Sequence, residues 1–123
     1  MVLTLLIFAV LNISLAFIDA HKIFKGNTIN HVINAAVYIA MVAVSFFIFH
    51  NVWLIIALLF NRLLVFNIAL SLFRGLNWDY VTPENPPKSI IDRIAKMVFG
   101  MNGKLMYGVY AAVFIVLIII IFI

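Results

Sequence analysis

The chain has no cysteine, no glutamine, five glycines, three prolines, and only eight basic and four acidic side chains in 123 residues. Each shortage excludes something. Without cysteine there is no disulfide scaffold, no thiolate metal site and no cysteine nucleophile. With 10% charged and 67% hydrophobic residues, polar surface is too scarce to cover a core, and a soluble fold is excluded. No Gly-rich phosphate loop, nucleophile elbow or Ser-His-Asp order occurs, so nucleophilic hydrolysis has no support. Glutamine is missing against ten asparagines, the composition of AT-rich coding.

What remains is long apolar sequence with a mean hydropathy of +1.27. Four runs, 1–20, 29–50, 51–75 and 105–123, each approach the ~20 residues that cross a ~30 Å hydrocarbon core as a helix. The expected fold is all-α, an integral membrane four-helix bundle in a single membrane domain. Only His50-Asn51 separates the second run from the third. A turn at Asn61-Arg62 would instead leave one helix too long and force a reversal at mid-membrane, where unpaired backbone is costly. The turn is therefore expected at 50/51. No basic n-region precedes the first run and no small-residue cleavage site follows it, which reads as a retained helix.

The net charge of +4 follows topology rather than nucleic acid, which is not an expected partner. Lys22 and Lys25 fall in the loop 21–28, and Arg74, Lys88, Arg93, Lys96 and Lys104 in or beside the segment 75–104. The other turn and both termini carry no Lys or Arg. The positive-inside rule then predicts cytoplasmic loops and both termini outside, in a bacterial inner membrane. Trp53 suits the outer interfacial belt, and Trp78, Tyr80 and Tyr107 the inner one.

Residues 75–88 hold all three prolines and read as an irregular connector. A short helix over 89–99 follows, with Ser89 and Asp92 resembling a capping box and Gly100 and Asn102-Gly103 as its stop. At about 100° per residue, Ser89, Asp92, Arg93 and Lys96 gather on one side, and Ile90, Ile91, Ile94, Met97, Val98 and Met101 on the other. This is the pattern of a cytoplasmic interfacial amphipathic helix, whose stripe faces lipid or a protein partner. Ala9 and Ala16, Ala36, Ala40 and Ala43, and Gly108 and Ala112 allow close helix approach. The expected partners are the lipid bilayer and, through such faces, a homo-oligomer or larger membrane complex.

Polar residues sort by depth. At 1.5 Å per residue, Asn12 and Tyr38 lie about 18 Å from the outer ends of their spans, Asn61 and Arg62 about 15 to 17 Å, and Tyr110 about 20 Å, one layer. Arg62 is the expensive member, disfavoured by about 2.5–3.5 kcal/mol at a helix centre and too short to snorkel out. No acid shares that layer, so amide, carbonyl or tyrosine oxygens, water or an anion must serve Arg62. Nearer the basic loops, His31, Asn34 and Tyr38 on the second span and Asn67, Ser71 and Arg74 on the third form two stripes that could face each other. Asp19 matches Arg74 in depth and is its expected ion partner. Asp19, His21 and His31 are metal-competent, but they lack an HExxH-type spacing and equally suit interfacial hydrogen bonding. No cofactor is expected.

The stretches SLFRGLNWDYVTPENPPKSIIDRI and FIDAHKIFKGNTINH resemble small multi-spanning membrane proteins of Bacteroidetes and of their phages and prophages. That resemblance carries no assigned activity and no functional residue. It raises holin-like or superinfection-exclusion roles, and the LIIIIFI end, without a basic tail, argues against a holin. The expected function is accessory or structural rather than enzymatic, with a polar interior facing the cytoplasm. The alternatives are a channel or transporter subunit with an anion contact at Arg62, and a metal-dependent membrane enzyme.

Overall fold

The computed structural model describes residues 1–29, 31–83, 87 and 89–123, with His31 described by its backbone alone. The described residues are all-helical. Helix α1 spans Val2–Phe24 and α2 His31–Phe49. A 22-residue rod from Val52 to Phe73 comprises α3 (Val52–Asn61), a π-helical turn (Arg62–Phe66) and α4 (Asn67–Phe73). Helix α5 covers Ile90–Phe99 and α6 Gly103–Phe122. Four helices, α1, α2 from Val32, the rod and α6, are long and apolar enough to cross a membrane, which makes this a small membrane protein.

The chain reverses at His50–Asn51. His50 takes a left-handed conformation (φ 50°) and donates its N–H to the Phe46 carbonyl at 2.7 Å. The Asn51 side chain accepts from the Leu54 N–H at 3.1 Å, satisfying one of the orphan donors at the start of α3. Two residues thus close one helix and cap the next. At the opposite, basic end, α4 finishes in a Schellman motif. Gly75 (φ 71°) donates to Leu72 and Leu76 to Ser71, which leaves Arg74 as the last helical-side residue facing out of the rod.

Two apolar clusters fill the bundle. Toward the turn end, Leu5 and Phe8 of α1, Tyr38 and Val42 of α2, Leu54, Ala57 and Leu58 of α3 and Leu117 of α6 are buried together. Toward the basic end, Ala95 of α5 packs with Met106, Tyr107 and Tyr110 of α6, flanked by Phe60, Leu63, Leu64 and Ile68 of the rod. Helix α5 leaves Ile90, Ile94, Met97 and Val98 exposed, the uncovered apolar stripe expected of an amphipathic helix.

Local details differ from expectation. Helix α1 runs a turn past residue 20, because its apolar and helix-favouring residues continue to the Gly26 stop. Ser89 occupies the N-cap position of α5, but its side chain makes no capping bond. The connector is instead anchored by Arg93, whose Nε donates to the Pro87 carbonyl at 2.6 Å. Lys88, counted with the basic loop, lies outside the described residues.

Candidate functional site

Of the five polar residues expected in one layer, Asn12, Tyr38, Asn61 and Arg62 come from α1, α2 and the rod and meet. Asn12 of α1 has no solvent exposure, and Asn61 and Tyr38 are almost fully buried. Arg62 has only donors, so the Asn12 side chain must turn its oxygen toward it. Arg62 Nη1 donates to Asn12 Oδ1 at 3.3 Å. The Asn12 amide nitrogen is then free to give both its hydrogens, to Asn61 Oδ1 at 2.8 Å and to the Tyr38 hydroxyl at 3.5 Å. The Tyr38 hydroxyl in turn donates to the Leu58 carbonyl. No buried side-chain nitrogen or oxygen among the described residues lacks a partner. In a low-dielectric interior this completeness matters, since each orphaned group there costs about 1–3 kcal/mol.

Aromatic faces complete the accommodation of Arg62. Its guanidinium carbon lies 3.4 Å from the centre of the Phe66 ring and 5.3 Å from that of Tyr38. Such contacts are worth about 0.5–2 kcal/mol, more where water is excluded, a fair part of the insertion penalty of a mid-membrane arginine. Phe66 is not among the oxygens, water or anion expected to serve Arg62. Its signal was the i, i+4 spacing from Arg62, which puts the two on one helix face. The segment between them is the π-helical turn. A π turn is usually a one-residue insertion that persists where a site uses it, and it shifts the phase of α4 against α3 by about one residue, near 100°.

Other residues expected to meet do not. Tyr110 does not join the Arg62 layer; it packs against Phe60, Phe99 and Tyr107. The stripe Asn67–Ser71–Arg74 lines the cavity at the basic end rather than facing α2, whose Asn34 bonds to α1 and whose Tyr38 bonds to both α1 and α3. The expected Asp19–Arg74 ion pair does not form. Asp19 is buried and accepts from Asn34 Nδ2 at 3.2 Å, while the Arg74 guanidinium lies 5.7 Å from the Tyr80 ring centre. His21 is exposed, and the His31 side chain lies outside the described residues. Among the described residues no three His, Cys, Asp or Glu side chains converge as metal ligands would, so Asp19 and His21 do not make a centre on their own.

A second polar site, not foreseen as a unit, lies at the basic end. Asn67, Ser71 and Arg74 of the rod form one wall of a cavity of about 110 Å3. Tyr80 to Thr82 close it from the connector, Asp92 and Lys96 from α5, and Tyr107 and Tyr110 from α6. Lys96 Nζ donates to the Thr82 carbonyl at 3.4 Å, tying α5 to the connector. Gly103 makes the closure feasible. A Cβ there would lie 1.8 Å from the Asp79 carbonyl oxygen, so only glycine lets the connector cross the start of α6.

The chain therefore carries a saturated polar layer at mid-depth and a polar cavity at the basic end. It matches no protein-family model, no curated protein and no solved structure.

Proposed function

We propose that this is a non-enzymatic membrane protein of accessory or structural type, built around a polar interior that opens toward the cytoplasm. The observation that carries the reading is the Asn12–Asn61–Tyr38–Arg62 network, which joins α1, α2 and the rod with each polar group answered by another. Interhelical hydrogen bonds hold helices together in lipid, where apolar burial distinguishes little between helix and lipid neighbours. An arginine engaged by Asn12 and stacked on Phe66 acts as an internal fastening.

The second reading, an anion pathway through Arg62, needs the guanidinium to line an opening. Against it, Arg62 does not line the cavity at the basic end. Orientation in the membrane follows the charge. Lys22, Lys25, Arg74, Arg93, Lys96 and Lys104 all belong to the end opposite the His50–Asn51 turn, which supports cytoplasmic loops and external termini in a bacterial inner membrane. The bilayer is the first partner, and a homo-oligomer or larger complex is the second.

Reconstitution tests the choice. Purified protein in liposomes should conduct chloride and phosphate no faster than empty liposomes, while Arg62→Leu should lower thermal stability in detergent. Anion flux that disappears in Arg62→Leu would replace the fastening with a pathway.

A further inference from the structure

We propose that the cavity at the basic end is a binding site for a phosphate group, with Arg74 as its principal ligand and a phospholipid headgroup as the natural source. This goes beyond the fastening role of Arg62 and uses different residues.

Depth comes first. The rod Val52–Phe73 has 22 residues, about 33 Å of helix against a hydrocarbon core of about 30 Å. Arg74, directly after it, is placed at headgroup level. The neighbouring α5 leaves its apolar stripe exposed, as a helix lying in the interface does, and turns Asp92, Ala95 and Lys96 to the cavity. The site is therefore open to the region where lipid phosphates reside.

Chemistry comes second. The Arg74 guanidinium is half-buried and makes no hydrogen bond or ion pair among the described residues; it lies 5.7 Å from the centre of the Tyr80 ring. A planar fork of five donors held against an aromatic face is suited to bidentate recognition of a phosphate. The Ser71, Tyr107 and Tyr110 side chains line the same space and add hydroxyl donors. Lys96 contributes a second positive charge beside it. Asp92 also lines the cavity; one turn from Lys96, it lowers the local charge and favours a singly charged phosphodiester over a dianion. The volume, about 110 Å3, leaves room for a phosphate group.

Thermal unfolding of delipidated protein in a neutral detergent tests this with four probes. They are phosphatidylglycerol, phosphatidylethanolamine, diacylglycerol of the same chains, and inorganic phosphate. The phospholipids should raise Tm by several degrees and diacylglycerol should not. Stabilisation by inorganic phosphate at millimolar concentration, without a phospholipid effect, would keep the phosphate site and assign it to a soluble ligand. Arg74→Gln should weaken the apparent affinity by about tenfold or more, the worth of a charged hydrogen bond, and Arg74→Lys should lie between. Lys25→Gln, an exposed basic residue at the same end, should bind as the parent does. No shift of the parent protein with any phosphate-bearing probe, or equal shifts in parent, Arg74→Lys and Arg74→Gln, would overturn the proposal.

Discussion

Arg62 and Phe66 stand one helical turn apart on the membrane-spanning rod, with the guanidinium carbon 3.4 Å from the ring centre. The pair lies within a single π-helical turn, Arg62–Phe66, so the irregular backbone and the stacked cation share the same five residues. A charge that the bilayer opposes is thus held partly by its own helix and partly by Asn12 across the interface with α1. The Arg62 position depends on local backbone geometry and on a partner helix together, which decides what its replacement should do.

Arg62→Leu removes the desolvation cost, so membrane insertion should be unchanged or improved. It also leaves Asn12 Oδ1 without its donor, and the folded bundle should lose about 1–3 kcal/mol. Arg62→Lys should lose nearly as much, because an ammonium cannot stack on Phe66 in the same planar way. Glycosylation-reporter insertion assays and detergent melting curves read the two effects separately. Poor insertion of the leucine variant would contradict the internal placement.

Asn12→Leu attacks the same layer from α1. It orphans Asn61 Oδ1 and one Arg62 donor at once, so it should cost more than Arg62→Leu. The expected loss is about 2–4 kcal/mol, two unsatisfied groups at the usual penalty less the gain from apolar burial. The double variant Asn12→Leu with Asn61→Leu should recover part of it, since removing both partners of the amide pair leaves only the Arg62 donor unanswered. Denaturation in detergent across this cycle measures the coupling, and strict additivity would mean that the network is incidental.

The helices were legible in the sequence because apolar run length is a direct physical requirement of a bilayer, and the 50/51 turn because the rival parse broke a backbone rule. Asn12, Tyr38, Asn61 and Arg62 were legible as a layer because depth follows from residue count alone. Three features were not. Nothing in Arg62-Leu63-Leu64-Val65-Phe66 marks a π turn, and the wheel that puts Asn67, Ser71 and Arg74 on one face does not say which element that face meets. The Phe66 ring is a cation partner that an inventory of oxygens does not contain. The cavity depends on where an irregular connector brings α5, and periodicity within α5 says which side is polar without saying what that side meets.

The proposed topology rests on charge and on the hairpin. Cysteines introduced at Asn51 and at Ser89 lie at opposite ends of the bundle. An impermeant maleimide applied to intact cells should label Asn51→Cys, and Ser89→Cys only after permeabilisation. Labelling of both from one side would contradict four spans.

The exposed stripe of α5 should rest on lipid. Ile94→Asp places a charge in the middle of Ile90, Ile91, Met97 and Val98 and should detach the helix from the interface. Amide exchange over 90–99 should quicken in nanodiscs while exchange in α1 stays the same. Equal protection in parent and variant would show that the Ala95 contact with α6 alone retains the helix.

Gly103 offers the most local test of how the basic end is assembled. The connector crosses the start of α6 so closely that an added Cβ would lie 1.8 Å from the Asp79 carbonyl oxygen and 2.8 Å from its carbon. Backbone cannot yield as a flexible side-chain tip can, so Gly103→Ala must push residues 79–82 away from α6. Overpacking of this kind costs about 1–3 kcal/mol, although alanine is otherwise the better helix former. The displaced strap carries Tyr80, Val81 and Thr82, one wall of the Arg74 cavity, and Trp78, whose ring is 6.1 Å from Tyr107. The variant should therefore show altered emission from Trp78, with Trp53→Phe as background, together with faster exchange at 79–82 and weaker stabilisation by phospholipid. Because the mid-membrane layer lies on other elements, protection around Asn12 and Asn61 should not change. A variant with unaltered Trp78 emission and parental stability would mean that the connector does not pack on α6 as described.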